Sequence, residues 1–156
     1  MIEITGDIRD SDTWSKTLPC DKDLHLCVTT NGYILERTGK VAMGAGVAKL
    51  FRDTHRGIDE ALAHAVKRWG NIPQFLWDGD GYDIYSFPTK YRWNEYSDIE
   101  IITRSARIVK AYSNKGNAIW VIPKPGCGCG GLDWLDVKEV LAPILDTDNF
   151  WIIDNK

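Results

Sequence analysis

The sequence predicts an α/β domain in which helices pack on both faces of a mixed β-sheet. Short segments with the two-residue period of β-strands alternate along the chain with segments whose apolar residues recur at helical spacing. The most apolar run, Ala118–Ile122, has the composition of a buried strand and is predicted to lie at the centre of the sheet. This alternation favours helices on both sides of one sheet, and ligands in such folds bind beyond the carboxyl ends of the strands.

Length and composition fit one domain spanning residues 1–156. Apolar residues make up 44% of the chain and charged residues 26%, and no apolar run approaches the roughly 18 residues of a membrane span. The segment Met1–Asp7 lacks the basic and apolar regions of a signal peptide, so we expect a cytoplasmic monomer without a membrane partner. The net charge of −3 argues against broad electrostatic binding to nucleic acid.

The first half of the chain predicts two strands and two helices. Met1–Ile8 begins with an alternating pattern that indicates an edge strand ending at Gly6-Asp7, and Leu24–Thr29 alternates as a second strand. A glycine turn at 43–46 then leads into a helix. Ile58–Trp69 is amphipathic and predicts a second helix, which Gly70 can cap.

The second half begins with a hairpin signal. Apolar runs at 75–77 and 82–87 flank Asp78-Gly79-Asp80-Gly81, and Asp-Gly pairs between apolar runs favour a tight turn. A capping-box spacing, with Ser97 as N-cap and Glu100 three residues later, predicts a helix to about Tyr112. After the strand at 118–122, Asp133 can cap a helix to about Leu145, and the segment at 150–153 predicts the last strand.

Two glycine-rich turns stand immediately before predicted helices. One is the turn Gly44-Ala45-Gly46, and the other is the stretch 126–131, in which four of six residues are glycine. Backbone N–H groups in such turns can converge on an anion, and a helix N-terminus adds partial positive charge. A flexible surface turn is the alternative interpretation of either turn alone, but a diphosphate needs two sets of donors, which favours a binding role for the pair.

The cysteines do not indicate a metal site. Cys127 and Cys129 are separated by one residue, which is not the spacing of a zinc knuckle, and neither Cys20 nor Cys27 has a partner at that spacing. No neighbouring residue in the sequence would activate a thiolate. The sequence therefore predicts neither a metal ion nor a redox pair.

Several of these motifs together resemble a known family. They are Gly6-Asp7-Ile8 after the first strand, Asn31 after the second, the run 43–48, and Gly126-Cys127-Gly128 after the central strand. In this order they resemble a macro domain, over nearly the whole chain. The segment 87–90 with Trp93, and the segment 130–134, resemble the DarG-type glycohydrolases that remove ADP-ribose from DNA. The terminal ADP-ribose glycohydrolases of proteins are similar but more distant.

The resemblance implies a three-layer α/β/α sandwich that binds ADP-ribose without a cofactor. Asp7 would accept from the adenine amino group, with Ile8 beside it, and Asn31 would hydrogen-bond the distal ribose. Backbone donors to one phosphate would come from the first glycine turn, namely Gly44, Ala45, Gly46 and Val47. The other phosphate and the distal ribose would be wrapped by the second, namely Gly126, Cys127, Gly128, Cys129 and Gly130.

The catalytic residues that the resemblance implies are Lys90 and Asn31. Lys90 would lie at C1″ of the distal ribose, where a lysine can attack as a neutral amine or stabilise developing negative charge. Two positions depart from the family pattern. Gly130 stands where the protein-specific relatives carry an aspartate, and Ala45 stands where DarG-type loops carry a lysine.

The sequence leaves several functions open. The leading expectation is hydrolysis of an ADP-ribosyl linkage on DNA or protein. An ADP-ribose 1″-phosphate phosphatase would use the same pocket, and a non-enzymatic reader or scavenger of ADP-ribose would need no catalytic lysine. A structural module whose glycine loops bind nothing is the remaining alternative.

Overall fold

The computed structural model describes residues 1–10, 13, 18–19 and 21–156. Cys20, considered above as a possible ligand or redox residue, lies outside the described residues. Within them the chain forms six strands and four helices. The strands are β1 Ile2–Gly6, β2 Asp23–Thr30, β3 Phe75–Asp78, β4 Asp83–Pro88, β5 Ala118–Pro123 and β6 Phe150–Asn155. The helices are α1 Gly46–Thr54, α2 Ile58–Trp69, α3 Ile99–Ser113 and α4 Trp134–Leu141.

The six strands form one mixed sheet in the order β1-β6-β5-β2-β4-β3. Neighbours from β1 to β4 in this order are parallel, and β3 runs antiparallel to β4 as the predicted hairpin requires. Because the parallel strands share one direction, their carboxyl ends meet at one edge of the sheet. The loops after β1, β2, β4 and β5 and the end of β6 are therefore neighbours in space.

Two apolar cores cover the two faces of the sheet. Leu26 and Val121 point to one face and pack in a buried cluster with α1 and α2, whereas Cys27 and Trp120, one residue away, point to the other, against α3 and α4. Each large side chain buried in this way stabilises the fold by roughly 1.5–3 kcal/mol. The three-layer α/β/α arrangement is thus confirmed, with β2 and β5 at its centre.

Several predicted boundaries are confirmed. Helix α2 has the predicted limits, and Gly70 ends it with a φ of 85° and an N–H bonded to the carbonyl of Val66. The hairpin closes with the Gly79 N–H on the Tyr82 carbonyl at 2.8 Å. Asp133 caps α4, since its carboxylate accepts from the Leu135 N–H at 2.9 Å.

Two predicted boundaries are wrong. The N-cap of α3 is Asp98, whose carboxylate accepts from the N–H of Glu100 at 2.8 Å, and not Ser97. Ser97 is instead held one residue earlier, where its N–H donates to the Gly130 carbonyl at 2.9 Å. Helix α4 ends at Leu141 rather than Leu145, because Pro143 lacks the N–H that would continue the helix.

Candidate functional site

A cleft of about 1060 Å³ lies at the carboxyl edge of the sheet. The ends of β2, β4, β5 and β6 reach it, together with the start of α1 and the loop after β5. Its volume is at the upper end of the roughly 300–1,000 Å³ typical of small-molecule sites. The parallel strands thus bring both predicted glycine turns, far apart in sequence, to one cavity.

The first wall of the cleft is the N-terminus of α1. Its N-cap is Ala45, which has no side chain able to accept from the first N–H groups, and the first turn carries no acidic residue. A Cβ atom on Gly44 would meet no heavy atom within 4 Å, so this turn is open to the cleft. The first N–H groups of a helix have no intrahelical partner and carry partial positive charge, so this wall is suited to an anion.

The second wall is the loop 126–131 between β5 and α4. Gly126 has a φ of +76°, and a Cβ there would lie 2.9 Å from the side chains of Ile102, Leu132 and Ser97. The turn is closed by the Leu132 N–H on the Gly126 carbonyl at 2.9 Å. Glycine is therefore required by close packing at position 126, and the loop is an ordered turn.

The two walls meet at one point. A Cβ on Gly46, at the start of α1, would lie 3.9 Å from Sγ of Cys129 in the opposite loop. Gly128, like Gly44, has open space where a side chain would project. The cleft is thus bordered by two stretches of main chain, the two sets of donors that a diphosphate would need, which together we call the diphosphate cradle.

The cysteines of the loop are not poised for thiolate chemistry. Cys127 is half-buried beside the Pro125 carbonyl, and burial raises the pKa of its thiol to about 11, so the thiol stays protonated at neutral pH. Cys27 is fully buried in the core, which also raises its pKa. Within the described part of the chain, no group of three or more His, Cys, Asp or Glu side chains could hold a metal ion.

Lys90 reaches the cleft directly after β4. Its Nζ donates to the main-chain carbonyls of Glu95 at 3.2 Å and Trp93 at 3.5 Å. Among the described residues, no carboxylate lies within ion-pair distance of it. The amine is therefore held at the cleft by the following loop, with one direction left for a ligand.

Asn31 lines the cleft but already has two partners. Its Nδ2 donates to the Ala42 carbonyl at 2.9 Å, and its Oδ1 accepts from the Tyr33 N–H at 3.1 Å. The side chain is only 5% exposed. It joins the end of β2 to the segment before α1, so a bond to a ribose would use its second amide hydrogen.

The remaining predicted residues, Asp7 and Ile8, are not among the described residues that line the cleft. Asp7 accepts from Arg9 Nη2 at 2.8 Å, and this hydrogen bond lowers the pKa of the carboxyl group. Ile8 is buried, and its N–H donates to Oδ1 of Asn155, which does line the cleft. Both residues therefore lie just beyond the β6 end of the cavity.

Sequence reasoning missed several lining residues. Lys124 pairs with Asp154 at 3.0 Å, and its ammonium lies 5.5 Å from the ring centroid of Trp134. The position of Lys124 directly after the central strand was a usable signal. The hydroxyls of Thr30 and Ser97, both buried at the cleft wall, had no signal in the sequence because only tertiary contacts place them there.

Similarity to solved structures identifies the fold. The chain matches the macrodomain of Thermus aquaticus DarG with a TM-score of 0.72 over 99% of this chain and 97% of that one, at 21% identity. It matches Thermosipho africanus DarTG in complex with ADP-ribose with a TM-score of 0.68, over 83% of this chain and 37% of that one, at 23% identity. The chain has the macro domain fold. No protein-family model matches it.

Curated relatives indicate the branch of the macro domains to which this chain is related. It is 27% identical over 131 residues to the ADP-ribose glycohydrolase OARD1 of Bos taurus, covering 83% of this chain and 84% of that protein. It is 43% identical over 89 residues to a DNA ADP-ribosyl transferase–DNA ADP-ribosyl glycohydrolase fusion protein of Thermosipho africanus. That match covers 56% of this chain and only 21% of the fusion protein. The resemblance inferred from the sequence is confirmed.

Within this macro domain, position 130 has no room for a side chain. A Cβ on Gly130 would overlap Oγ of Ser97 and lie 2.7 Å from the Gly126 carbonyl oxygen. The absence of an acid there, noted from the sequence, therefore has a packing reason. No helix among the described residues is long and apolar enough to cross a bilayer.

Proposed function

We propose that this macro domain binds ADP-ribose in the cleft and hydrolyses an ADP-ribosyl linkage with the help of Lys90. The observation that carries the proposal is the pair of main-chain walls, the uncapped start of α1 and the loop 126–131, which meet at Gly46 and Cys129. Each wall offers N–H groups to one phosphate, which matches the diphosphate of ADP-ribose. Similarity to a structure in complex with ADP-ribose supports the same ligand.

The contacts of Lys90 favour an electrostatic role over nucleophilic attack. Attack would require the amine to leave the carbonyls of Trp93 and Glu95 and present a lone pair. As a donor it can stay where it is and stabilise negative charge that develops on the leaving group. We therefore assign Lys90 the task of stabilising that charge, next to the distal ribose.

An aromatic rim beside Lys90 supports a nucleic-acid acceptor. Tyr91, Trp93 and Tyr96 are 52%, 54% and 81% exposed, and the guanidinium of Arg92 lies 4.5 Å from the ring centroid of Tyr33. Exposed aromatic faces and arginine planes stack on unpaired bases, each stack contributing about 1–3 kcal/mol. Together with the similarity to a DNA ADP-ribosyl glycohydrolase, this rim favours ADP-ribosylated single-stranded DNA over protein.

A non-enzymatic reader of ADP-ribose is the second candidate. It is favoured by the amine of Lys90 being occupied by two carbonyls and by the exclusion of any acid at position 130. A non-enzymatic reader of ADP-ribose would need only the diphosphate cradle and no catalytic group. The phosphatase alternative uses the same cradle, and only a substrate comparison separates it from glycohydrolysis.

The decisive experiment compares the wild type with Lys90→Ala on three substrates: ADP-ribosylated single-stranded DNA, ADP-ribosylated protein and ADP-ribose 1″-phosphate. We expect release of ADP-ribose from DNA and a loss of about 100-fold or more in kcat for Lys90→Ala, because one preorganised donor is worth that much. ADP-ribose affinity by calorimetry should persist. Lys67→Ala, an exposed lysine of α2, is the matched control.

Each result selects one function. Binding of ADP-ribose without turnover of any substrate establishes the reader, and preferred turnover of the 1″-phosphate establishes the phosphatase. Full turnover by Lys90→Ala refutes the role of the lysine while leaving the cradle intact.

A further inference from the structure

Ser97 is wedged beneath the glycine loop at the cleft. Its Cβ would be 2.9 Å from a Cβ on Gly126, and its N–H donates to the Gly130 carbonyl at 2.9 Å. The residue is 8% exposed, and its Oγ has no hydrogen-bond partner among the described residues. A hydroxyl buried without a partner destabilises the free protein, because it has lost water and gained nothing.

Apolar or smaller residues would fill this place without that penalty. Removal of the hydroxyl would leave the Cβ contacts with the loop unchanged, and the N–H bond to Gly130 belongs to the main chain. The hydroxyl is thus not needed for the packing seen in the free protein. A buried polar group that the fold does not use is a candidate for use by a ligand.

The surroundings of Ser97 locate the part of the ligand it would meet. The Asp98 N–H donates to the Thr89 carbonyl at 2.8 Å, and Lys90 in turn donates to the carbonyl of Glu95. Ser97 is therefore enclosed between the segment that holds Lys90 and the loop that ends at Gly130. In the proposed function, this is the end of the cleft at which the linkage is cut.

We propose that the Ser97 hydroxyl is a ligand-binding group, unpaired in the free protein and hydrogen-bonded to the terminal ribose of bound ADP-ribose. The inference rests on the proposed function. The hydroxyl oxygen is covered by the glycine loop in the free protein, so binding requires the turn between Gly128 and Gly131 to shift. Gly128, at the start of this turn, has open space among the described residues where a side chain would project, whereas Gly130 and Gly131 pack against Ser97 and Tyr96 and would leave those contacts in the shift.

The test uses one variant, Ser97→Ala, for which we expect the melting temperature to rise and the affinity for ADP-ribose to fall. Loss of an unpaired buried hydroxyl should raise the melting temperature of the free protein by about 2–4 °C. Loss of the contact should weaken ADP-ribose binding about five- to tenfold by calorimetry. A residue with only a packing role would not produce a more stable protein that binds its ligand less tightly.

Ser105→Ala is the matched control. Ser105 is also buried, on α3, but its Oγ donates to the Pro88 carbonyl at 2.7 Å. The same substitution there should lower the melting temperature and leave ADP-ribose affinity unchanged. ADP, which lacks the terminal ribose, provides the second control, and its affinity should be equal in the wild type and Ser97→Ala.

The outcomes distinguish a failure of the proposed role of Ser97 from a failure of the proposed function. Unchanged ADP-ribose affinity in Ser97→Ala, or a lowered melting temperature of the free variant, overturns the inference while the wild type still binds. An equal loss for ADP and ADP-ribose overturns the assignment to the ribose. A wild type that binds neither nucleotide overturns the proposed function and the inference with it.

Discussion

A carboxylate at position 45 should stabilise the protein and weaken the proposed binding of ADP-ribose. Ala45 is the N-cap of α1, with φ −147° and ψ 162°, the extended geometry in which a cap side chain accepts from the next N–H groups. In Ala45→Asp the new carboxylate would accept hydrogen bonds from those N–H groups. Caps of this kind stabilise by about 1 kcal/mol, which corresponds to about 2–4 °C in Tm for a chain of this size.

The effect on binding has the opposite sign and a larger magnitude. The carboxylate would occupy about two N–H groups that a phosphate would otherwise use, and charge-assisted bonds contribute roughly 1.5 kcal/mol or more each. Repulsion between two negative charges about 4 Å apart adds about 1 kcal/mol even in bulk water. We therefore expect ADP-ribose affinity to fall by at least about 100-fold.

Calorimetry with ADP-ribose and a thermal melt of the free protein measure both effects. Ala45→Ser is the matched variant, because serine caps the helix without adding charge, so its Tm should rise while its affinity falls less. If Ala45→Asp has a higher Tm and binds ADP-ribose as tightly as the wild type, no phosphate is bound at the start of α1. The diphosphate cradle would then be wrong.

Three further predictions follow from single contacts. Thr30→Val removes a second buried hydroxyl that has no hydrogen-bond partner among the described residues, so the free protein should melt at a higher temperature; a lower Tm would contradict the absence of a partner there. Gly130→Asp should lower stability by about 1–3 kcal/mol in denaturant unfolding, because its Cβ would lie 2.7 Å from the Gly126 carbonyl oxygen; unchanged stability would show that the loop yields freely. The Asp7–Arg9 hydrogen bond lowers the carboxyl pKa below its ordinary 3.8. That contribution to stability is present above about pH 4 and is lost below it, so Asp7→Asn should have a smaller loss of Tm between pH 5 and about pH 3 than the wild type.

The fold could be predicted because its signals are local. The two-residue period of β2, the continuous apolar run of β5, the helical period of α2 and the Asp-Gly hairpin each fix an element within a short window. Of the two wrong boundaries, the end of α4 had a local signal in Pro143, whereas the start of α3 is decided by a residue distant in sequence. Ser97 has the sequence of an N-cap, but its N–H is taken by Gly130, and the cap moves to Asp98.

From the residues alone, the candidate site could be predicted only in its main-chain part, whereas Lys90 and Asn31 were expected from the family resemblance. Glycine clusters indicate places where a ligand can approach the backbone closely, so the sequence indicated both walls of the cleft. The structure brings these walls together at Gly46 and Cys129. The ion pair of Lys124 with Asp154 requires the pairing of β5 with β6, which no local pattern specifies. The partners of Asn31 and Lys90 are main-chain carbonyls, and these have no signature in the sequence.

The meeting point of the two walls also carries a cysteine that can be labelled with a dye. Cys129 is an exposed free thiol beside the start of α1, whereas Cys127 is held protonated by burial and Cys27 is enclosed in the core. Among the cysteines that the structure describes, a thiol-reactive dye would therefore select position 129. With Cys20 replaced by serine, a fluorophore at Cys129 would sit at the rim of the cavity, so that occupancy of the cleft could be read optically.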